Sequence, residues 1–308
     1  MQRYSIFLKS VVFLVTLFVA LPLIAKPKKV VEPTVEQLLQ GLSESSPARW
    51  PQGMPFIYLN DRVDMTLMPE IPSEEADTLP QKGTIWHYDS MVSEEDWMGQ
   101  ELLQLRFLSP QGKAYRFSTG RPMTAVSDTT YRPVLTCMYP QNLITKVDEI
   151  FRARTLYILI NDDRLTYPAD TVSDQRHEKF VPVTIDSVSY GTEIAPLRFY
   201  FHNGEEAGWA DTSLPNSREL SSAMPVGRFF STTDPYQAHP DITPEIWQKI
   251  RWSQVQLDMT SEEVRLSWGR PSKVEKGASR SGMIELWYYS NNRILQFWDG
   301  RLSKMGIL

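Results

Sequence analysis

Residues 242–308 carry the signals that most restrict the fold, because every element boundary in this stretch is marked. Thr243 precedes a proline, so its hydroxyl can cap a helix whose first turn contains that proline. Thr260 and Glu263 have the spacing of a capping box, in which each side chain accepts a hydrogen bond from the backbone N–H of the other. Gly269, with a proline two positions later, ends this second helix. The pattern predicts two short helices.

Three runs with strand-like alternation follow the two helices. They are Met283 to Tyr289, Arg293 to Trp298 and Arg301 to Ile307. A Ser-Asn-Asn segment joins the first two runs, and Asp299-Gly300 joins the second and third. Asp-Gly tolerates the positive φ angles of a type I′ turn, which favours a tight hairpin. We therefore predict a small α+β domain with two helices and a three-stranded antiparallel meander.

Four motifs of this domain carry a family resemblance. They are Asp258-Met259-Thr260-x-Glu262-Glu263-Val264, Trp268-Gly269-x-Pro271, Trp287-Tyr288 and Leu295-x-Phe297-x-Asp299-Gly300-x-Leu302. In this order they resemble the SmpA/OmlA family, which includes the small lipoprotein of the outer-membrane β-barrel assembly machine. Its fold is shared with β-lactamase inhibitor protein. Position 258 is Asp where the family usually has Gly. The resemblance implies an α+β fold with a protein-binding role, and no enzymatic activity.

The first 25 residues have the pattern of a secretory signal peptide. Arg3 and Lys9 precede an apolar run, and Ala25 is a small residue placed for cleavage. The alternative is an N-terminal membrane anchor, because residues 6–25 approach the ~20 apolar residues that span a bilayer. No cysteine lies near Ala25, so lipoprotein attachment is not expected. The sequence predicts a periplasmic or otherwise exported protein.

The net charge limits the possible classes of binding partner, and the cysteine content limits the possible disulfide and thiol chemistry. The formal net charge is −5 in a chain of 308 residues, which argues against nucleic acid because phosphate contacts need a basic surface. The single cysteine, Cys137, cannot form an internal disulfide, and its apolar surroundings indicate a buried structural thiol.

The remainder of the chain is predicted to be mainly β. Period-two runs separated by turn residues favour SH3-like small barrels. A short repeat is present: Leu105-Arg106-Phe107 recurs as Leu197-Arg198-Phe199, each before a glycine turn. The repeat is compatible with a duplicated small barrel and equally with a pattern that is common to β-hairpins in general. The predicted segments are a signal peptide (1–25), a linker with a short helix (26–50), a β-rich domain with one short helix (51–163), a second β-rich unit with a connecting loop (164–241) and the α+β domain (242–308).

No catalytic residue, cofactor or metal site is predicted. The four histidines are far apart in sequence, and none has a second ligand type at zinc spacing. Paired carboxylates lie in loops or have a capping role, so nothing points to acid/base chemistry.

Aromatic residues of the meander form the candidate partner-binding surface. It consists of Trp287, Tyr289, Phe297 and Trp298. Two short helices cover only one face of a sheet, so the opposite face is expected to present aromatic side chains to a partner. The alternative is that this face packs on the preceding β domain.

The function predicted from the sequence is that of an exported, non-enzymatic cell-envelope protein that acts as a docking or assembly module. Its partner is expected to be a protein of the cell envelope, and any membrane association is expected to be indirect. The sequence predicts no particular oligomeric state. One alternative is glycan or peptidoglycan binding through the β-rich region, which a groove lined by Trp86, Trp97 or Tyr115 would favour. Another is a hydrolase, which a cleft joining a histidine to a serine, cysteine or carboxylate would favour.

Overall fold

A computed structural model describes residues 32–61, 67–71, 81–124, 129–167, 177–204, 206–215, 225–279, 282–290 and 292–307. The described residues are mainly β, with 42% of them in strands and 19% in helices, and the antiparallel sheets curl into half-barrels. The predicted mainly β class is confirmed. The signal peptide predicted at 1–25, and the alternative anchor, lie outside the described residues.

Six strands between residues 55 and 140 form the first sheet. They are β1 (Pro55–Tyr58), β2 (Leu67–Pro69), β3 (Ile85–Glu95), β4 (Glu101–Leu108), β5 (Ala114–Pro122) and β6 (Met138–Pro140). Their order across the sheet is β2-β5-β4-β3-β1-β6, and all pairs are antiparallel. Trp86 and Tyr88 on β3 are buried, whereas the alternate residues Ile85 and His87 are exposed. The period-two pattern therefore places one face of this sheet on the first core.

The second sheet also has six strands. They are β7 (Thr155–Ile158), β8 (Leu165–Thr166), β9 (Pro182–Tyr190), β10 (Leu197–Asn203), β11 (Glu206–Thr212) and β12 (Phe230–Ser231). Their order is β8-β11-β10-β9-β7-β12, again antiparallel throughout. Taken in chain order, these strands occupy the same six positions as those of the first sheet, so a duplication is present at the level of topology. Because β7 lies within 51–163, the second sheet begins before the predicted boundary at 164.

A bulge interrupts the same hairpin in each sheet. Asp89 on β3 and Asp186 on β9, each followed by a serine, are skipped in the strand pairing. The two Leu-Arg-Phe runs lie on the matching strands β4 and β10. Arg106 pairs with the first residue after its bulge, whereas Arg198 pairs with the third. The sheets thus match more closely in topology than in sequence register.

A 3₁₀ helix spans Pro47–Arg49, and four short α-helices accompany the sheets among the described residues. They are α1 (Val35–Leu38), α2 (Gln141–Phe151), α3 (Val226–Phe229) and α4 (Pro235–Ala238). The short helix predicted within 26–50 is present as α1, and Val35 is buried there. Helices α1, α2 and α3 contribute to the second core together with the second sheet. Ile57 and Leu59, at the end of β1, join the same core, so the first sheet is packed against the second.

The C-terminal domain contains α5 (Pro244–Arg251), α6 (Ser261–Trp268), β13 (Lys273–Ser279), β14 (Gly282–Tyr288), β15 (Arg293–Trp298) and β16 (Arg301–Ile307). Thr243 caps α5, and both hydrogen bonds of the Thr260–Glu263 capping box are present, at 2.7 and 3.2 Å. Asp299 and Gly300 adopt φ angles of 47° and 78°, as the predicted turn requires. The two helices and the turn are confirmed.

The C-terminal sheet has four strands in the order β13-β14-β15-β16, so the prediction of three was wrong. The missed strand, β13, is an edge strand whose residues 273–278 are all exposed. Only one of its residues, Val274, is a large apolar residue, and none of the side chains at 273–278 is buried in the core. Its sequence consequently lacks the alternation that marked the other three strands.

Residues 178–180 attach the C-terminal domain to the second sheet. Glu178 forms an ion pair with Arg251 at 2.9 Å, and the Phe180 ring packs against Trp247 of α5 at 5.7 Å between centroids. The Lys179 ammonium donates hydrogen bonds to two backbone carbonyls in the last turn of α6, one of them Leu266 O at 2.9 Å. Burial lowers the pKa of Lys179 to about 8. The domain thus docks through the ends of its helices.

Candidate functional site

Trp287 and Phe297, two of the four residues predicted to face a partner, are fully buried. Their ring centroids lie 4.4 Å apart, and both belong to the third core with Val264 of α6. The Arg265 guanidinium lies 4.6 Å from the Trp287 ring centroid. The prediction was wrong for these two residues. Alternation identifies which residues share a face, but the helices decide which face is covered, and they cover this one.

Tyr289 also faces its own domain. Its ring meets the Trp268 ring edge-on at 5.3 Å between centroids, and its hydroxyl donates a hydrogen bond to Gly269 O at 3.2 Å. Burial raises the pKa of Tyr289 to about 12. The residue closes the end of α6, so its predicted place on the partner surface is corrected as well.

A shallow groove of about 240 Å³ lies beside Trp268 on the helix side of the sheet. It is lined by Trp268, Arg293, Leu295, Met305, Gly306 and Ile307. The Arg293 guanidinium lies 4.9 Å from the Trp268 ring centroid and supplies the charge at this mostly apolar groove.

The opposite face of the C-terminal sheet, here called the open face, is formed by Ile284, Leu286 and Tyr288 on β14 and by Ile294 and Trp298 on β15. The pairs Ile284–Trp298 and Tyr288–Ile294 place these side chains on one side of the sheet. All five are partly exposed, and none belongs to any of the three described hydrophobic cores. Trp298 is thus the predicted partner residue that does lie on an accessible face.

Charged residues on the two edge strands border the open face. On β13, the Lys273 ammonium lies 2.7 Å from Glu275 and 5.5 Å from the Tyr288 ring centroid. The Tyr288 hydroxyl donates to the same carboxylate at 2.8 Å, and the hydrogen bonds from Lys273 and Tyr288 lower the pKa of Glu275. On β16, exposed Lys304 has no carboxylate partner among the residues that the structure describes. The face is apolar in its middle and charged at its edges.

The aromatic residues of the glycan alternative do not share a groove. Trp86 and Tyr115 are buried in the first core, with ring centroids 4.9 Å apart. Trp97 is 91% exposed at the end of the β3–β4 hairpin. A sugar therefore has no platform built from these three side chains.

Two histidines lie beside carboxylates, as the hydrolase alternative requires. His202 Nδ1 is 2.6 Å from Asp186 Oδ1, and His239 Nδ1 is 3.1 Å from Glu262 Oε1. Within the described part of the chain, neither imidazole is hydrogen-bonded to a serine or cysteine, and neither pair lines the Trp268 groove. Cys137 is fully buried in the first core, as predicted. The described residues also contain no group of three metal-ligating side chains.

Comparisons with protein-family models, with curated proteins and with solved structures found no match for this chain. Among the described helices, none has the length and apolar character needed to cross a bilayer.

Four residues of the open face were missed by the sequence reasoning: Ile284, Leu286, Tyr288 and Ile294. The sequence did carry an indication of this surface, because β14 has apolar residues on both of its faces. A strand that buries only one face usually alternates apolar with polar residues. The second apolar row was therefore the available indication of a surface beyond the core.

Proposed function

We propose that the protein is an exported, non-enzymatic component of the cell envelope whose C-terminal domain docks onto a protein partner through the open face. The observation that carries this proposal is the apolar row from Ile284 to Trp298, which is partly exposed and outside every described core. Contiguous exposed apolar surface in a folded protein typically marks an interaction site. The signal-peptide pattern of residues 1–25 supports export.

The finer fold assignments belong to the same proposal. We assign the two β sheets to SH3-like half-barrels and the C-terminal domain to the SmpA/OmlA fold, whose members bind proteins. One local feature supports the second assignment. Asp258, at the position where the family usually has Gly, adopts a φ of +68°, a conformation that Gly reaches without steric cost.

The charges around the open face indicate the chemistry of the partner. Among the described residues, Lys304 at one edge has no carboxylate partner, while Lys273 at the other edge is paired with Glu275. A partner that presents an apolar surface flanked by a carboxylate would cover the middle of the face and pair with Lys304. Such complementarity favours the correct orientation more than it adds affinity.

Photocrosslinking in intact cells tests this proposal. A photoreactive residue at Gln296, in the middle of the open face, is expected to capture one envelope protein. The matched control replaces Gln248, an exposed glutamine on α5. The double variant Ile294→Asp/Trp298→Ala, once shown to be folded, should abolish the capture from Gln296. Identical captures from both glutamines, or none from Gln296, would contradict the proposal, and recovery of glycan strands would favour the glycan alternative.

A further inference from the structure

The end of the β3–β4 hairpin exposes two large apolar side chains to solvent. Trp97 is 91% exposed and Met98 is 63% exposed. Tryptophan is the residue most enriched among binding hot spots, because one buried ring supplies a large contact area with few rotamers to fix. This pair, here called the hairpin tip, lies on the first sheet and is separate from the open face.

Hydrogen bonds fix the backbone of the hairpin tip. Asp96 Oδ1 accepts from the N–H groups of Met98 and Gln100, both at 2.8 Å. Asp96 N–H donates to Gln100 O at 2.9 Å, and Gly99 N–H donates to Asp96 O at 3.0 Å. Gly99 has a φ of +76°, which a residue with a side chain would adopt at a cost. The turn therefore holds Trp97 out before any partner arrives, which lowers the entropy lost on binding.

The charged side chains at the ends of β3 and β4, which support the hairpin tip, are all negative. Glu95 and Glu101 are direct cross-strand neighbours, and both are exposed. Like charges at directly opposed positions destabilise a hairpin. Glu94 and Asp96 add two more carboxylates, although Glu94 lies 3.6 Å from Arg116. An arrangement that costs stability, placed next to an exposed tryptophan, indicates a role in recognition.

The second sheet provides an internal comparison for this hairpin. Its equivalent connection, from β9 to β10, is packed at its base, where Gly191 is buried and its N–H donates to Pro196 O at 2.9 Å, and its exposed apolar residue is Ile194, at 43%. A side chain on Gly191 would meet Ala195 O at 2.2 Å, so this turn is packed against itself. The shared topology thus does not require a projecting aromatic tip.

We propose that the hairpin tip is a second binding element, which inserts Trp97 and Met98 into an apolar pocket with a Lys/Arg rim on a protein partner. The exposed tip is convex, so the partner must supply the concave surface. The carboxylates at its base select a basic rim and are repelled by anionic lipid and by nucleic acid. This inference is independent of the open face, and together the two surfaces would let the protein bridge two partners.

The test places a photoreactive residue at Met98 of the full-length chain in intact cells. The control position is Gln111, exposed in the β4–β5 turn. The protein captured only from Met98 is identified and purified, and its Kd for the full chain is measured. Trp97→Ala should raise that Kd about 30-fold or more, as expected for a hot spot. Trp298→Ala on the open face should leave it unchanged.

Glu101→Lys separates recognition from structure. The change replaces the Glu95–Glu101 repulsion with an opposite-charge pair, so the hairpin should become more stable while the Kd rises several-fold and depends less on salt. Capture of the same proteins from Met98 and Gln111 would overturn the proposal. So would a less than twofold effect of Trp97→Ala, or Trp97-dependent binding of the chain to phosphatidylcholine vesicles with or without phosphatidylglycerol.

Discussion

The two six-stranded sheets have the same strand order but different surroundings. Helices α1, α2 and α3 contribute to the core of the second sheet, and residues 178–180 attach the C-terminal domain to it. The first core is completed by Trp50 and Met54, which precede its first strand, and its β3–β4 hairpin ends in exposed Trp97. Strand pairing therefore sets the topology, whereas the flanking helices and the hairpin ends decide whether a sheet becomes a central support or carries a projecting element.

The largest expected effect compares one core phenylalanine in each sheet. Phe107 and Phe201 each pair with the residue just before the bulge and are at most 1% exposed. Substitution of either by Ala should cost about 3–5 kcal/mol of unfolding free energy. Only Phe201→Ala should also raise amide hydrogen exchange in β14 and β15, because the C-terminal domain is docked on the second sheet. Equal exchange in both variants would show that the sheets support the domain equally.

The second prediction concerns Lys179, the lysine that docks the C-terminal domain onto the second sheet. Burial lowers the Lys179 pKa from 10.5 to about 8. Between these values the unfolded chain binds more protons than the folded chain, so this group makes stability rise with pH, by at most about 1.4 kcal/mol per pH unit. Urea denaturation of Lys179→Met from pH 8 to 10.5 should lack this rise. Lys249→Met is the control and should retain it; loss of the rise in both variants would contradict the assignment.

A smaller effect is expected from the charged network on the face of the first sheet opposite its core. Arg106 contacts Glu70 at 2.9 Å and also pairs with Asp89, and its hydrogen bonds lower the pKa of both carboxyl groups. Because the folded pKa values are depressed, this stabilisation is present at neutral pH and is lost as the pH falls below about 4.5. Arg106→Met should cost about 1 kcal/mol at pH 7, since the groups are partly solvated. It should also flatten the acid branch of the stability curve.

The matched control for that network is Arg198→Met on the second sheet. Arg198 forms a two-pronged pair with Asp211 at 2.7 and 2.8 Å. Its removal should leave the Glu70 and Asp89 contribution in place. An acid branch that is flattened equally by both variants would mean that the loss has a common, nonspecific origin.

The smallest effects are expected at the hairpin tip. Glu101→Lys should add about 0.2–1 kcal/mol of stability by thermal denaturation, because it removes a like-charge pair. Trp97→Ala should change stability by no more than about 0.5 kcal/mol, since the side chain is almost fully exposed. A large loss of stability in Trp97→Ala would show that the tip packs on the fold and would remove its contrast with the β9–β10 connection.

Sequence reasoning succeeded where the deciding interactions are local. The Thr260–Glu263 capping box and the Asp299-Gly300 turn were predictable because both depend on residues within one helical turn or one hairpin loop. Strand β13 was not, because an exposed edge strand needs no apolar pattern. The shared topology of the two sheets left only a three-residue echo, since strand order is compatible with many different sequences.

The candidate site was predicted less well than the fold. Alternation placed Trp287 and Trp298 in strands, but the side covered by helices depends on how α5 and α6 cross the sheet, which no short window encodes. Trp97 was identified only as a possible glycan contact. Its flanking carboxylates and its isolation at a hairpin end became informative once the pairing of β3 with β4 was known.

The strands of the three sheets are not interleaved along the chain, and this has a consequence for the order of folding. Each sheet uses one uninterrupted segment: residues 55–140, 155–231 and 273–307. A chain that emerges N-terminus first can therefore complete each sheet in turn, as domains generally do during synthesis. Ile57, Leu59 and Tyr139, at the β1–β6 end of the first sheet, are exceptions because they belong to the second core. Until that core has formed, these apolar side chains at the β1–β6 end of the first sheet stay uncovered, and this is where a chaperone would be expected to hold the emerging chain.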